Sequence, residues 1–138
     1  STPVGLAMDL HGVRVLVVDD EEEVRKYVVT ALRSAGVEVR AAASAKAALD
    51  ALEEWAADVV LTDLAMPHAD GFDLLHWIRN AASDRIRSVP VVALTAFAMP
   101  EDRESARNAG FHGFLAKPVD PAQLRAAVAR AAAGGVIR

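Results

Sequence analysis

The chain has 138 residues, no cysteine, 53% hydrophobic but only 5% aromatic residues, and a formal net charge of −4. This length suits one domain with its own core of Val, Leu and Ala, and the absence of cysteine excludes disulfides, thiol catalysis and cysteine-bound metal. With no basic surplus, nucleic-acid binding is not expected; with no apolar run near the roughly 18 residues of a bilayer span and no signal-peptide pattern, neither is membrane insertion, and a cytoplasmic location is expected.

Residues 1–12 mix Pro, Gly and polar side chains without a period, and they read as a linker or tag remnant. The first residue is Ser, so a segment processed or cut from a longer protein is expected. From Val13 to Val18 the residues are almost all apolar, as in a central strand covered on both faces. Val24, Val28, Ala31 and Leu32 then recur at helical spacing, with Gly36 placed to stop that helix. Val37–Ala42 is a weaker, more alternating strand; Ser44 is a candidate cap for a second helix bearing Ala48, Leu49 and Leu52.

Asp58–Thr62 is a short, strong strand, and Asp70-Gly71 opens a third helix with Leu74, Leu75 and Ile78 inward. Val89–Leu94 is the fourth strand, with Pro90 at its opening, where a missing donor is tolerated. Pro100-Glu101-Asp102 opens a fourth helix, its acids near the positive end of the helix dipole, and Gly110 follows it. Gly113–Ala116 is the last strand; Asp120-Pro121 opens a last helix with Leu124 and Val128 inward, ending at Gly134-Gly135. Strands alternating with helices predict an α/β domain over 13–133, followed by a tail at 134–138. The architecture expected is a doubly wound (βα)5 flavodoxin-like sandwich on a parallel five-stranded sheet of order 2-1-3-4-5.

Each strong strand stops at a polar residue: Asp19-Asp20-Glu21, Asp63, Thr95 and Lys117. In a parallel sheet these ends share one edge, where ligands of open α/β sheets bind, at the point where strand order reverses. Clustered carboxylates repel, so a cation is expected among them, and Mg²⁺ suits oxygen ligands beside a phosphate. Lys117 adds a fixed positive charge and Thr95 a neutral donor; phosphoryl transfer needs mainly such positioning and charge stabilisation. Singly, each residue has an ordinary reading: Asp19 or Asp20 as a helix cap, Thr95 as a strand end, Lys117 as a surface charge. Their joint occurrence at successive strand ends favours a site. His11, His68, His76 and His112 show no metal-binding spacing.

The set Val17-Val18-Asp19-Asp20-Glu21, Thr62-Asp63-Leu64-Ala65-Met66-Pro67, Asp70-Gly71, Ala93-Leu94-Thr95-Ala96 and Lys117-Pro118 resembles the response-regulator receiver family of two-component phosphorelays, from about Val13 to Ala132. The resemblance implies that Asp63 accepts a phosphoryl group from a phosphohistidine on a histidine kinase or histidine phosphotransfer protein. It implies Mg²⁺ on Asp20, Asp63 and the Ala65 backbone carbonyl, with Asp19 acting through water. The phosphoryl oxygens would be held by Lys117, Thr95 and the Ala96 amide. Thr95 and Phe114 would move together to switch the α4-β5-α5 face, and Phe114, lacking a tyrosine hydroxyl, is expected to be buried. Ala65 and Phe97 occupy the positions that tune hydrolysis, and neither can orient a water, so a slowly hydrolysed acyl phosphate is expected. The receiver of a hybrid sensor histidine kinase, a phosphorylation-linked dimer and a fused output domain are all consistent with this reading.

An Asp-nucleophile phosphohydrolase would carry a second Asp where Ala65 stands. A flavodoxin-like cofactor binder would need a phosphate cradle where Asp19-Asp20-Glu21 would repel phosphate. A non-phosphorylated pseudo-receiver acting by binding alone would not need the full acceptor set.

Overall fold

The computed structural model describes residues 10–96 and 98–133; the expectations for 1–9, for Phe97 and for Gly134-Gly135 with the tail fall outside the described residues. Five parallel strands, β1 (Arg14–Val18), β2 (Glu38–Ala42), β3 (Val59–Asp63), β4 (Val91–Thr95) and β5 (Gly113–Ala116), form one sheet in the order β2-β1-β3-β4-β5. This is the order expected from the sequence. The register sets Val18 beside Thr62, Asp63 beside Leu94 and Thr95 beside Ala116, which aligns the carboxyl ends of the central strands.

The helices are α1 (Glu22–Arg33), α2 (Ala45–Glu54), α3 (Gly71–Arg79), α4 (Asp84–Arg87), α5 (Pro100–Ala109) and α6 (Pro121–Ala132). Side chains alternate across a strand, so Val15 and Val17 of β1 face Val28 and Leu32 of α1 and Leu124 and Val128 of α6. Leu16 and Val18 face the opposite layer, with Leu52 of α2, Leu74 and Ile78 of α3, Ile86 of α4 and Ala106 of α5. Both faces of the sheet are therefore covered, and β1, β3 and β4 are almost wholly buried, which explains their unbroken apolar runs.

Helix starts follow the capping residues. Ser44 accepts the Ala47 N–H, Asp120 accepts the Gln123 N–H, and Asp70 and Asp73 form a reciprocal capping box. Gly110, at φ +107, takes the left-handed conformation that ends α5.

Three features differ from expectation or refine it. The connection from α3 to β4 contains the extra four-residue helix α4, too short to show a period. Its Arg87 pairs with Asp84, and its Arg85 donates to the carbonyls of Leu52 (2.9 Å) and Trp55 (3.4 Å), capping the end of α2. With α4 inserted, the face expected as α4-β5-α5 is α5-β5-α6. Phe114, expected to be buried, is only half-buried: β5 is a short edge strand, and the ring is covered from outside by the Arg103 guanidinium, 4.8 Å from its centroid. Leu10, within the stretch read as linker, is buried in the core between β1 and α1 neighbours. No described helix is long and apolar enough to cross a membrane.

Candidate functional site

Asp19 directly follows β1 and extends its pairing, donating its N–H to the Ala42 carbonyl at 3.1 Å. Its side chain is fully buried. Oδ1 accepts the Glu21 N–H at 2.9 Å, bending the chain toward α1, but the N-cap of that helix is Glu21 and no side chain caps it, so the capping reading of Asp19 and Asp20 does not hold. Arg25, one turn into α1, donates to the Asp19 carbonyl at 2.8 Å. The second oxygen, Oδ2, lies 2.8 Å from Lys117 Nζ, yet it receives no well-directed hydrogen bond from the protein.

Asp63 ends β3, the central strand, and is only 4% exposed. Its Oδ1 accepts the Ala65 N–H at 3.4 Å and its Oδ2 lies 3.4 Å from Lys117 Nζ, while buried Thr62 donates its hydroxyl to the Asp63 carbonyl at 3.0 Å. The position of Asp63 also depends on Gly71. A Cβ at Gly71 would meet the Asp63 carbonyl oxygen at 2.5 Å and Leu64 Cα at 2.9 Å, so only glycine lets α3 start against the end of β3.

Lys117 is thus shared among carboxylates, with Glu21 Oε1 a third neighbour at 3.7 Å. Its own N–H donates to the Thr95 carbonyl at 2.8 Å, which fixes the end of β5 against the end of β4. Thr95 is buried at that strand end, and Ala96 follows it, exposed. The Lys117–Pro118 peptide is cis. Tyr27 on α1 donates its hydroxyl to the Val119 carbonyl at 3.0 Å, tying the loop after Lys117 to the first helix.

The electrostatics follow from this crowding. Burial, and then the charge of Asp19, push the Asp63 carboxyl above the ordinary range, with Lys117 pulling the other way. Burial also works against the Lys117 ammonium, but the close approach of Asp19 and the charges of Asp63 and Asp19 outweigh it, so Lys117 holds its proton more tightly than a free lysine. One ammonium does not compensate the cluster. Asp19, Asp20 and Asp63 each offer a carboxylate oxygen, all within 4.8 Å of one another, and Asp19 Oδ2 still lacks a directed donor. A small hard dication fits that all-oxygen set, because it takes several carboxylates and completes its shell with water.

The structure therefore brings Asp19, Asp20, Asp63, Ala65, Thr95, Ala96 and Lys117 to one edge. Phe97 lies outside the described residues, and Phe114 is on the neighbouring edge strand. Four contributors were not anticipated: Glu21 beside Lys117, Arg25 on the Asp19 carbonyl, the Tyr27 clasp and the close approach at Gly71. For Gly71 the signal was its place after a capping Asp near a strand end; nothing in the sequence alone points from Arg25 to the Asp19 carbonyl six residues before it, or from Tyr27 to Val119, 92 residues on.

Comparison with known proteins agrees with this geometry. The family described as Response regulator receiver domain matches residues 15–129. A 14.6 kDa protein encoded in the sodA1 3′ region of Leptolyngbya boryana is 40% identical over 110 residues, covering 80% of this chain and 82% of that protein. The response regulator Rre1 of Synechocystis is 40% identical over 117 residues, 84% of this chain but 50% of Rre1, so the chain spans about half of that relative. Among solved structures, the receiver domain of the sensor histidine kinase PA1611 from Pseudomonas aeruginosa, with magnesium coordinated in its active site cleft, has a TM-score of 0.79 and 33% identity, covering 89% of this chain and 99% of that one.

Proposed function

Because the chain belongs to the response regulator receiver domain family of two-component signalling, we propose that Asp63 is its phosphoacceptor. The observation that carries this is the single ammonium of Lys117 reaching both Asp19 and Asp63 where β1 and β3 end. An Asp63 carboxylate oxygen attacks the phosphorus of a phosphohistidine on a cytoplasmic histidine kinase or histidine phosphotransfer protein. The P–N bond breaks, its electron pair returns to the imidazole nitrogen, and an acyl phosphate remains on Asp63. Lys117 then turns from the carboxylates to the phosphoryl oxygens, joined by the Thr95 hydroxyl and the Ala96 amide.

Asp20, Asp63 and the Ala65 carbonyl would hold Mg²⁺ in this reading, and Asp19 would support it through water. The metal, when bound, lowers the repulsion between a carboxylate nucleophile and an anionic phosphoryl group. The magnesium reported for the PA1611 receiver supports the same use of the acidic cluster here. Thr95 and Phe114 carry the change to the α5-β5-α6 face. The acyl phosphate hydrolyses slowly, because Ala65 and Phe97 offer no side chain to orient water. Relatives in which a receiver is joined to further sequence support a place in a longer protein, of which a hybrid sensor kinase is one form.

The test is Mg²⁺-dependent labelling by a small phosphodonor, or binding of beryllofluoride, in the wild type and in Asp63→Asn. Labelling and a thermal shift confined to the wild type are expected; a ligand at 100 times its Kd stabilises by about 2.7 kcal/mol. Equal responses in both proteins would overturn the assignment.

A further inference from the structure

In the sheet order β2-β1-β3-β4-β5, three strand spacings of about 4.8 Å separate β5, which leads into Lys117, from β1, which leads into Asp19. That is well beyond the four-carbon stem of a lysine. Yet Lys117 Nζ lies 2.8 Å from Asp19 Oδ2 and 3.4 Å from Asp63 Oδ2. The chain after β5 must therefore lean back across the ends of β4 and β3, and something must hold it there.

On the β4 side the Lys117 N–H donates to the Thr95 carbonyl at 2.8 Å, and Pro118 has no N–H to add. Val119 shares a core cluster with Val28, which sets the depth of the loop, but apolar packing has no direction. The directed bond on the other side comes from α1, where the Tyr27 hydroxyl donates to the Val119 carbonyl at 3.0 Å. It spans a cavity of about 370 Å³ left between α1 and the loop, lined also by Glu23, Val24 and Pro118. Two residues earlier on the same helix, Arg25 donates to the Asp19 carbonyl at 2.8 Å. Helix α1 thus grips both members of the Lys117–Asp19 pair, one through Tyr27 and the other through Arg25, and a ring of contacts closes from Asp19 through the helix and the loop back to Asp19.

We propose that Tyr27 is a positioning residue for the phosphoryl transfer: its hydroxyl holds the loop after β5 so that the Lys117 ammonium stands over Asp19 and Asp63. Tyr27 is 46% exposed, so burial of its ring is not what the residue chiefly contributes. A bond to the backbone carbonyl two residues beyond Lys117 fixes the root of that side chain and leaves its tip free to turn toward phosphoryl oxygens. Such placement matters because small displacements of a charge-stabilising group are costly in rate. This deepens the reading of Asp63 as the acceptor and, for its chemical consequence, rests on it; the hold on Lys117 itself belongs to the resting, metal-free protein.

The experiment is a double-mutant cycle on the whole chain, with Tyr27→Phe, which removes the hydroxyl and keeps the ring, and Lys117→Met, which removes the ammonium and keeps most of the stem. In metal-free protein, Tyr27→Phe is expected to lower the urea midpoint less in the Lys117→Met background than in the wild type, because part of what it loses is the pairing of Lys117. Equal shifts in the two backgrounds would overturn the proposal, since a purely structural bond to Val119 is indifferent to the ammonium. With Mg²⁺ and a small phosphodonor, Tyr27→Phe should label about fivefold more slowly, the effect of one net hydrogen bond. The half-saturating Mg²⁺ concentration should not rise, because Asp20, Asp63 and Ala65 lie outside the clasp, and in the Lys117→Met background the substitution should change nothing further. An unchanged rate, or the same fold loss in both backgrounds, would overturn the proposal as well. The rate and Mg²⁺ measurements on Tyr27→Phe stand even if Lys117→Met does not fold. Should wild type and Asp63→Asn label alike, the acceptor reading fails, and the urea cycle still decides what holds Lys117.

Discussion

The Lys117 ammonium lies closer to Asp19 (2.8 Å) than to Asp63 (3.4 Å), so at rest its nearest partner is the fully buried carboxylate and not the proposed nucleophile. The lysine is then a structural neutraliser as well as a phosphoryl ligand, and removing it exposes the first role. Lys117→Ala leaves Asp19 buried without its counter-charge. The expected loss of stability is roughly 3 kcal/mol, and Mg²⁺ should restore more of it than it adds to the wild type, since the dication replaces the missing charge. Urea unfolding with and without Mg²⁺ measures both. A loss unaffected by Mg²⁺ would mean that the cluster does not take the metal.

The raised carboxyl of Asp63 sets a pH dependence in metal-free protein. The folded chain binds that proton more tightly than the unfolded chain does. Stability due to this group therefore falls as pH rises from the ordinary carboxylate range through the raised value, and is level above it. Asp63→Asn should remove this decline and raise the metal-free melting temperature at neutral pH. Lys117, also raised, acts with the same sign but in an alkaline window: its contribution is present below the ordinary lysine value and is lost as pH climbs through the higher folded one. Melting curves across pH, with a chelator present, test the two groups separately.

Gly71→Ala places a methyl 2.5 Å from the Asp63 carbonyl oxygen, and the obstacle is backbone on both sides, which cannot swing away. Overpacking of this kind costs about 2 kcal/mol. Because the contact is with Asp63 itself, phosphodonor labelling should slow as well, even well below the melting temperature. A variant that lost stability but labelled at the wild-type rate would show that α3 yields and β3 does not.

Ala65→Asn adds an amide at the rim of the site, where Ala65 is exposed and its N–H already points to Asp63. An oriented water gains roughly one hydrogen bond in the transition state, so decay of the phospho-form should speed up about tenfold. Following the phosphorylated fraction after removal of the donor gives the rate. An unchanged rate would locate the control of hydrolysis elsewhere.

The strands and their polar ends were legible because they rest on local pattern, whereas the order of the sheet came with the resemblance to the receiver family. β1, β3 and β4 are buried on both faces and therefore apolar throughout, and Asp19, Asp63, Thr95 and Lys117 stand where each run stops. Two kinds of feature were not legible. The helix α4 is held by distant carbonyls, through Arg85 to Leu52 and Trp55, and a four-residue turn has no period to read. The half-exposure of Phe114 depends on β5 being an edge strand and on Arg103 covering it, neither of which its own sequence neighbours encode. Likewise the Tyr27 clasp joins residues 92 apart in the chain.

The place of β3 in the sheet has a mechanical consequence. Asp63 stands on a strand hydrogen-bonded on both sides, to β1 and β4, whereas Phe114 stands on β5, which is bonded on one side only. Amide exchange should be slower along β3 than along β5, because an edge strand can open without breaking the sheet. Chemistry would then be done on an interior beam of the sheet and read out on one of its margins, so that a charge added at Asp63 deforms the margin and leaves the acceptor in place for the next turnover.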